Sequence, residues 1–471
     1  MTKEQEKTNE FFRKYGWDHK TFFNRPHWTR RRFFEVMGAG VTGSFLAHRS
    51  LMAADPAAAA TTSSTTKGTA QNVIFILLAG APSHTDTFDL KMVNGITPAS
   101  FNPATINGAL FPTGLLPKLA QNFQNQDFSI VRSMQSHALV HTLGQVWTQI
   151  GRNPAAALGN IAPNIGSVVA LEKDGERKPS QAFPTFLALN SGAGVGSGYL
   201  PANFAPFRVT PNTGGIANTT TPAVGGQTRY NARLKLLHSV DDNLRFDSPN
   251  GQPMSDYNDF YIEANELMYN PVVNQAFAFV TSDSARYGNT ALGNACLVAH
   301  QVLKAQQGTR FIQITSNDGW DMHQNIYAAG TLPAKAAILD SAVSGLLNDL
   351  KNSGLLDSTL VVMVGEFGRT VGPLSGANGR DHWPQQFAVF AGGGTQGGTV
   401  VGQTNATGSD TADYGWSQNR YVYPEDIEAT IYSAMGIDWT QTLHNDPLGR
   451  GFDLVPKTGP FQFYPVHELW G

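Results

Sequence analysis

Asn72-Val73-Ile74-Phe75-Ile76-Leu77-Leu78 is an unbroken apolar run, and the polar loop Ala79-Gly80-Ala81-Pro82-Ser83-His84-Thr85-Asp86 follows it directly. A strand with one wet face alternates apolar and polar residues. An unbroken run signals burial on both faces, as in a parallel sheet covered by helices. Similar runs recur at 128–131, 311–315, 360–364 and 387–391. Helical patterns lie between several of them. The clearest spans 333–352, with Leu339, Ala342, Val343, Leu346, Leu347 and Leu350 at helical spacing, Lys351 in the last turn and Gly354 just beyond. Residues 290–307 and 424–435 read as further helices. Strands alternating with helices predict an α/β fold: a large, mostly parallel central sheet with helices on both faces.

The middle of the chain breaks this rhythm. Residues 190–230 are rich in Gly, Asn, Thr and Pro, and 231–280 read as mostly helical. The stretch 190–280 is therefore expected to be an irregular and helical insertion covering one edge of the sheet. One α/β domain over 72–471 would contain it.

Composition narrows the function. Only 15% of the 471 residues are charged, against about 25% in ordinary globular chains. With 33 basic and 36 acidic residues, nothing argues for nucleic-acid binding. The single cysteine, Cys296, excludes an internal disulfide and a thiolate-rich metal site. No apolar run reaches the length of about 20 residues that spans a bilayer.

The first sixty residues read as an address. The basic cluster Thr29-Arg30-Arg31-Arg32-Phe33-Phe34 precedes an apolar, Gly/Ala-rich stretch from Val36 to Ala47. Small residues follow at 53–60, then a Thr/Ser linker over 61–71. That order is the order of an export signal, and the paired arginines resemble a twin-arginine signal. It implies the twin-arginine translocase as a partner and a periplasmic or secreted mature protein.

Open α/β sheets bind ligands outside the carboxyl ends of their strands. Ser316-Asn317-Asp318-Gly319-Trp320-Asp321-Met322-His323 and Gly365-Glu366-Phe367-Gly368-Arg369-Thr370 follow two of the expected strands, and Gly379-Arg380-Asp381-His382-Trp383-Pro384 precedes another. Carboxylates and imidazoles without thiolates suit Zn, Mn or Mg. One or two such ions could clamp a phosphate or sulfate ester. Glu366 ends a buried strand, and a buried carboxylate needs a partner, which could be a metal or an arginine. Ser133, in Val131-Arg132-Ser133-Met134-Gln135-Ser136-His137, and Ser83 are both candidate nucleophiles. Arg132, Arg369 and Arg380 are candidates to hold an oxyanion, because the planar guanidinium matches tetrahedral oxyanions.

Taken in order, the twin-arginine start, Gly-Trp-Asp-Met-His-Gln-Asn (319–325), Gly-Glu-Phe-Gly-Arg-Thr (365–370), Gly-Arg-Asp-His-Trp-Pro (379–384) and Ala-Gly-Gly-Gly (391–394) resemble the bacterial family known as domain of unknown function 1501. The resemblance covers about 72–440. It implies an alkaline-phosphatase-like fold of the phosphatase and sulfatase superfamily. By the same resemblance, Asp321, His323 and His382 would ligate one metal, and Glu366 would stand for the strand-end aspartate on a second. Ser83 occupies the usual place of the first-strand aspartate, and Asp86, three residues later, is the candidate metal ligand from that loop. Phe367 replaces an expected histidine, and the Cys/Ser-x-Pro-x-Arg nucleophile motif of sulfatases is missing. Two functions follow as expectations. One is an exported metal-dependent hydrolase of phosphate or sulfate esters, acting on a small-molecule or glycan ester. The other is an exported binding or assembly protein that has kept the fold without turnover.

Overall fold

Strand β1 (Asn72–Leu78) is buried at every position. It sits in the middle of the sheet because both of its faces are covered. The computed structural model describes residues 65–471 apart from 179, 193–194, 218–225, 246–263, 265–266, 269 and 458–461. The export-signal reading of 1–60, the start of the linker and parts of 190–280 lie outside the described residues.

The other strands of the main sheet are β2 (Ser129–Gln135), β3 (Phe186–Leu189), β4 (Phe207–Val209), β5 (Phe311–Ser316), β6 (Thr359–Val364), β7 (Gln385–Ala391) and β8 (Val400–Val401). Their order across the sheet is β8-β2-β7-β6-β1-β5-β3-β4. Val73 of β1 is flanked in parallel by Phe311 and Leu360. Only β7 runs against its neighbours, antiparallel to both β6 and β2. An apolar run does not encode its direction, so this reversal was invisible in the 387–391 pattern. It matters for the site: residues that precede β7 lie at the same sheet edge as residues that follow the parallel strands.

Alternate residues of β1 feed two cores. Ile74, Ile76 and Leu78 pack with Phe123 of α1 (Pro117–Gln124), Val298 of α7 (Ala291–Ala305) and Leu346 of α8 (Leu332–Asn352). Val73, Phe75 and Leu77 pack with Val169 of α3 (Ile165–Lys173) and Ile431 of α9 (Pro424–Ala434). Helices therefore cover both faces. Thr290 caps α7 with its hydroxyl accepting from the Gly293 N–H at 3.1 Å, which fixes where that helix begins. Within 190–280 the structure places edge strand β4, paired in parallel with β3, followed by α4 (Gly226–Arg245) and α5 (Pro271–Phe277). The short helix α6 (Thr281–Arg286) leads back to the core helices. No helix among the described residues is long and apolar enough to cross a membrane.

One buried acid makes the second core pH-sensitive. Glu428 of α9 is 2% exposed and accepts from the Tyr432 hydroxyl at 2.9 Å. Burial pushes its carboxyl up to about 8, against the pull of the Arg152 charge. In the unfolded chain a glutamate ionises near about 4.3. The unfolded state thus releases its proton first, and stability falls as pH rises between those two values. Glu428→Gln is expected to remove this decline, so its melting temperature should gain on the wild type far more at pH 9 than at pH 5. Equal differences at both pH values would mean that the carboxyl is already ionised in the fold.

Candidate metal centre

Four side chains converge at the carboxyl edge of the sheet: His141, Asp321, His323 and His382 each offer one ligand atom, all within 4.8 Å of one another. Asp321 and His323 come from the loop after β5. His382 pairs with Arg369 in a two-residue antiparallel ribbon just before β7. His141 is the first residue of α2 (His141–Ile150), the helix that follows β2. Two glycines permit the close approach. A Cβ on Gly379 would stand 2.0 Å from the His323 carbonyl, and one on Gly144 would stand 3.1 Å from the Glu366 Cβ.

The ring orientations are fixed from behind. His382 Nδ1 lies 2.7 Å from the Leu139 carbonyl, which only accepts, so Nδ1 carries the proton. His141 Nδ1 lies 2.6 Å from Glu366 Oε1. With Nδ1 engaged in this way, the Nε2 of each ring faces the cluster, and the carboxylate–imidazole pairing of Glu366 with His141 is the usual support of a metal-binding histidine. His323 Nε2 stands 3.2 Å from His382 Nε2 and 2.9 Å from Asp321 Oδ1. His141 Nε2 is 3.2 Å from the same Oδ1, buried and without a hydrogen-bond partner. A proton on His323 would satisfy one of these contacts; a cation would satisfy them together. Bonds of 2.0–2.1 Å to a tetrahedral ion would set neighbouring ligand atoms roughly 3.3 Å apart. Spacings of 2.9 and 3.2 Å are close to that value, while His382 Nε2 and Asp321 Oδ1 stand 3.8 Å apart and would draw together on a divalent ion.

Electrostatics favour an ionised Asp321 and a protonated His141, so a bound cation would take the place of the His141 proton. Burial works against the Asp321 carboxylate, but the Arg369 hydrogen bond and charge outweigh it and hold the group below the usual range. The Glu366 hydrogen bond raises His141, more than burial lowers it. Glu366 itself is fully buried, and its Oε1 also accepts from the Gly80 N–H at 2.9 Å and from Gln145 Nε2 at 3.0 Å.

Of the five expected ligands, three meet here: Asp321, His323 and His382. Glu366 stands behind His141 as its hydrogen-bond acceptor and is not one of the four converging groups. Asp86 is elsewhere. Its carboxylate is held by Arg380 Nε at 2.7 Å, the Tyr327 hydroxyl at 2.7 Å and the Ser83 hydroxyl at 2.5 Å. Ser83 and Arg380, two of the candidate catalytic residues, are buried within that network. Arg369 is likewise buried, its guanidinium spent on Asp321 at 2.7 Å and on the Ala81 carbonyl at 2.8 Å. Arg132 is paired with Asp89. Ser133 lies inside β2, fully buried, with no hydrogen bond to the cluster. In a chain this poor in charge, Arg369 and Arg380 are buried on carboxylates and carbonyls of the protein, Arg380 on the buried Asp86 and Arg369 on the half-exposed Asp321.

His141 was the residue missed. It follows β2 at the same sheet edge, four residues beyond the Val131–His137 segment that supplies Arg132 and Ser133. Removing the negative charge behind it is expected to weaken the site without removing a donor. Glu366→Gln should lower divalent-metal affinity by roughly 10–100-fold, as loss of a supporting hydrogen bond does in other metal sites. Calorimetric titration with Zn²⁺ measures this, and unchanged affinity would show that Glu366 does not orient His141.

Among solved structures the chain is similar to the PsFucS1 sulfatase from Pseudoalteromonas sp., at 12% identity over 78% of this chain and 68% of that one, with a TM-score of 0.37. It is also similar to the lipoteichoic acid synthase LtaP from Listeria monocytogenes, at 12% identity over 83% and 77% of the two chains, with a TM-score of 0.35. A TAB5 alkaline phosphatase mutant gives 14% identity, 69% and 91% coverage, and a TM-score of 0.32. No curated protein matches the chain. The family described as "Protein of unknown function (DUF1501)" matches residues 70–459, and the chain belongs to it.

Proposed function

We propose that this protein is an exported, metal-dependent hydrolase of phosphate or sulfate esters. The observation that carries the proposal is the convergence of three imidazoles and one carboxylate, with two of the rings held so that Nε2 faces the cluster. Three nitrogens and one oxygen favour Zn or Mn over Mg, which prefers an all-oxygen shell. Such an ion supplies charge stabilisation at the ester oxygen and makes an attacking water more acidic.

The chain's own residues do the rest. Asp321 and His323 are half-exposed, so a substrate can reach the cluster. Glu366 and the Leu139 carbonyl hold two histidines in alignment. The first turn of α2 has no side-chain cap, and its backbone N–H groups favour an anionic oxygen beside His141. Ser83 is committed to Asp86, so water is the nucleophile: its oxygen bonds to phosphorus or sulfur, the ester bond breaks, and the alcohol departs with a proton. The twin-arginine pattern at 30–34 supports export through the twin-arginine translocase and a periplasmic or secreted location.

A second reading has one observation in its favour. Four side-chain donors fill a tetrahedral shell, which is the mark of structural metal sites. The chain would then be an exported binding or assembly protein. Zinc- or manganese-loaded protein assayed on aryl sulfates, phosphomonoesters and phosphodiesters separates the two. Hydrolysis retained by Ser83→Ala and lost in His323→Ala is expected; bound metal with no turnover on any ester would favour the second reading.

A further inference from the structure

Leu139 and Val140 are 42% and 59% exposed, two adjacent aliphatic side chains in water. A single exposed leucine needs no explanation, but these two sit in the loop that builds the metal centre. The Leu139 carbonyl holds His382, and Val140 immediately precedes His141. Val140 is also the N-cap of α2, where Ser, Thr, Asp or Asn would bond the open N–H groups. A valine there gives up that cap. Local rules are broken most often where function requires it.

The charges on the rim point the same way. Among the described residues, Arg369 is the arginine that contacts the cluster, through Asp321 and His323, and it is buried beneath them. Asp381, 73% exposed and 3.7 Å from His323 Nδ1, adds negative charge on the open side. A doubly charged phosphomonoester would meet a carboxylate and no free guanidinium. A singly charged head with an apolar arm suits this rim better.

We infer that Leu139 and Val140 form the subsite for the apolar alcohol portion of a singly charged ester, a sulfate monoester or a phosphodiester. This rests on the hydrolase reading. Octyl and methyl esters of both head groups, offered to the zinc- or manganese-loaded full chain, test it together with Leu139→Ala/Val140→Ala. That variant keeps the backbone carbonyl behind His382 and leaves the N–H groups of α2 uncapped, so its metal content and melting temperature should match the wild type. The wild type is expected to prefer octyl over methyl by about tenfold or more in kcat/KM, and the variant to lose about tenfold of that ratio through KM. Calorimetry should show the same loss in octyl sulfate or octyl phosphodiester affinity. The sulfate and phosphate arms identify the head group. Turnover with no chain-length preference, or a ratio and affinity unchanged in the variant, overturns the subsite alone. No turnover of any ester by metal-loaded protein overturns the hydrolase reading and the subsite with it.

Discussion

His382→Ala is expected to bind divalent metal on the order of 10²–10³-fold more weakly than the wild type while keeping its fold. Both halves of that result follow from where the ring sits. His382 Nε2 belongs to the converging set, 3.2 Å from His323 Nε2, so truncation removes a donor. Its other nitrogen bonds a loop carbonyl, and its ring touches His141 and Phe367 at the sheet edge, outside the two packed cores. Titration with Zn²⁺ and thermal melting of the same sample check the two halves. Unchanged affinity would remove His382 from the site, and a collapse of stability would mark it as a structural residue.

Asp86→Ala should behave in the opposite way. Asp86 and Arg380 form an ion pair that is almost completely withdrawn from water, and Tyr327 and Ser83 complete its hydrogen bonds. Removing one partner strands the other charge, which costs about 3–5 kcal/mol in comparable buried pairs. Denaturant unfolding should show that loss with the metal affinity of the surviving folded protein unchanged. Replacing both partners, as Asp86→Leu/Arg380→Met, should recover part of it, because neither charge is then left unpaired. If Asp86→Ala instead stays stable and loses metal, Asp86 is a ligand after all and the pair is secondary.

The contrast between these two residues shows what the sequence could convey. The positions of β1, β2, β5, β6 and β7 were legible because burial on both faces leaves an unbroken apolar run, and β1 has the bounds that its run implies; the short strands β3, β4 and β8 were not marked. The helix expected over 333–352 begins one residue earlier, at Leu332. Strand direction was not legible, since side-chain pattern is the same whichever way a buried strand runs. Within the candidate site, clustering at strand ends brought Asp321, His323 and His382 to attention, because their loops leave one sheet edge. Partner choice was hidden. Arg369 and Arg380 read the same in sequence whether they face a ligand or a carboxylate of the protein, and only the fold assigns them to Asp321 and Asp86. His141 escaped because nothing local separates a helix-opening histidine from an ordinary loop residue until Glu366 is seen 2.6 Å behind it.

The most direct measurement is the metal content of the purified chain, combined with X-ray absorption at the edge of whatever metal is found. About one equivalent of Zn or Mn with imidazole nitrogens dominating the first shell is expected from the four converging side chains. No bound metal after reconstitution, or a shell made only of oxygen, would contradict a centre built on His141, His323 and His382.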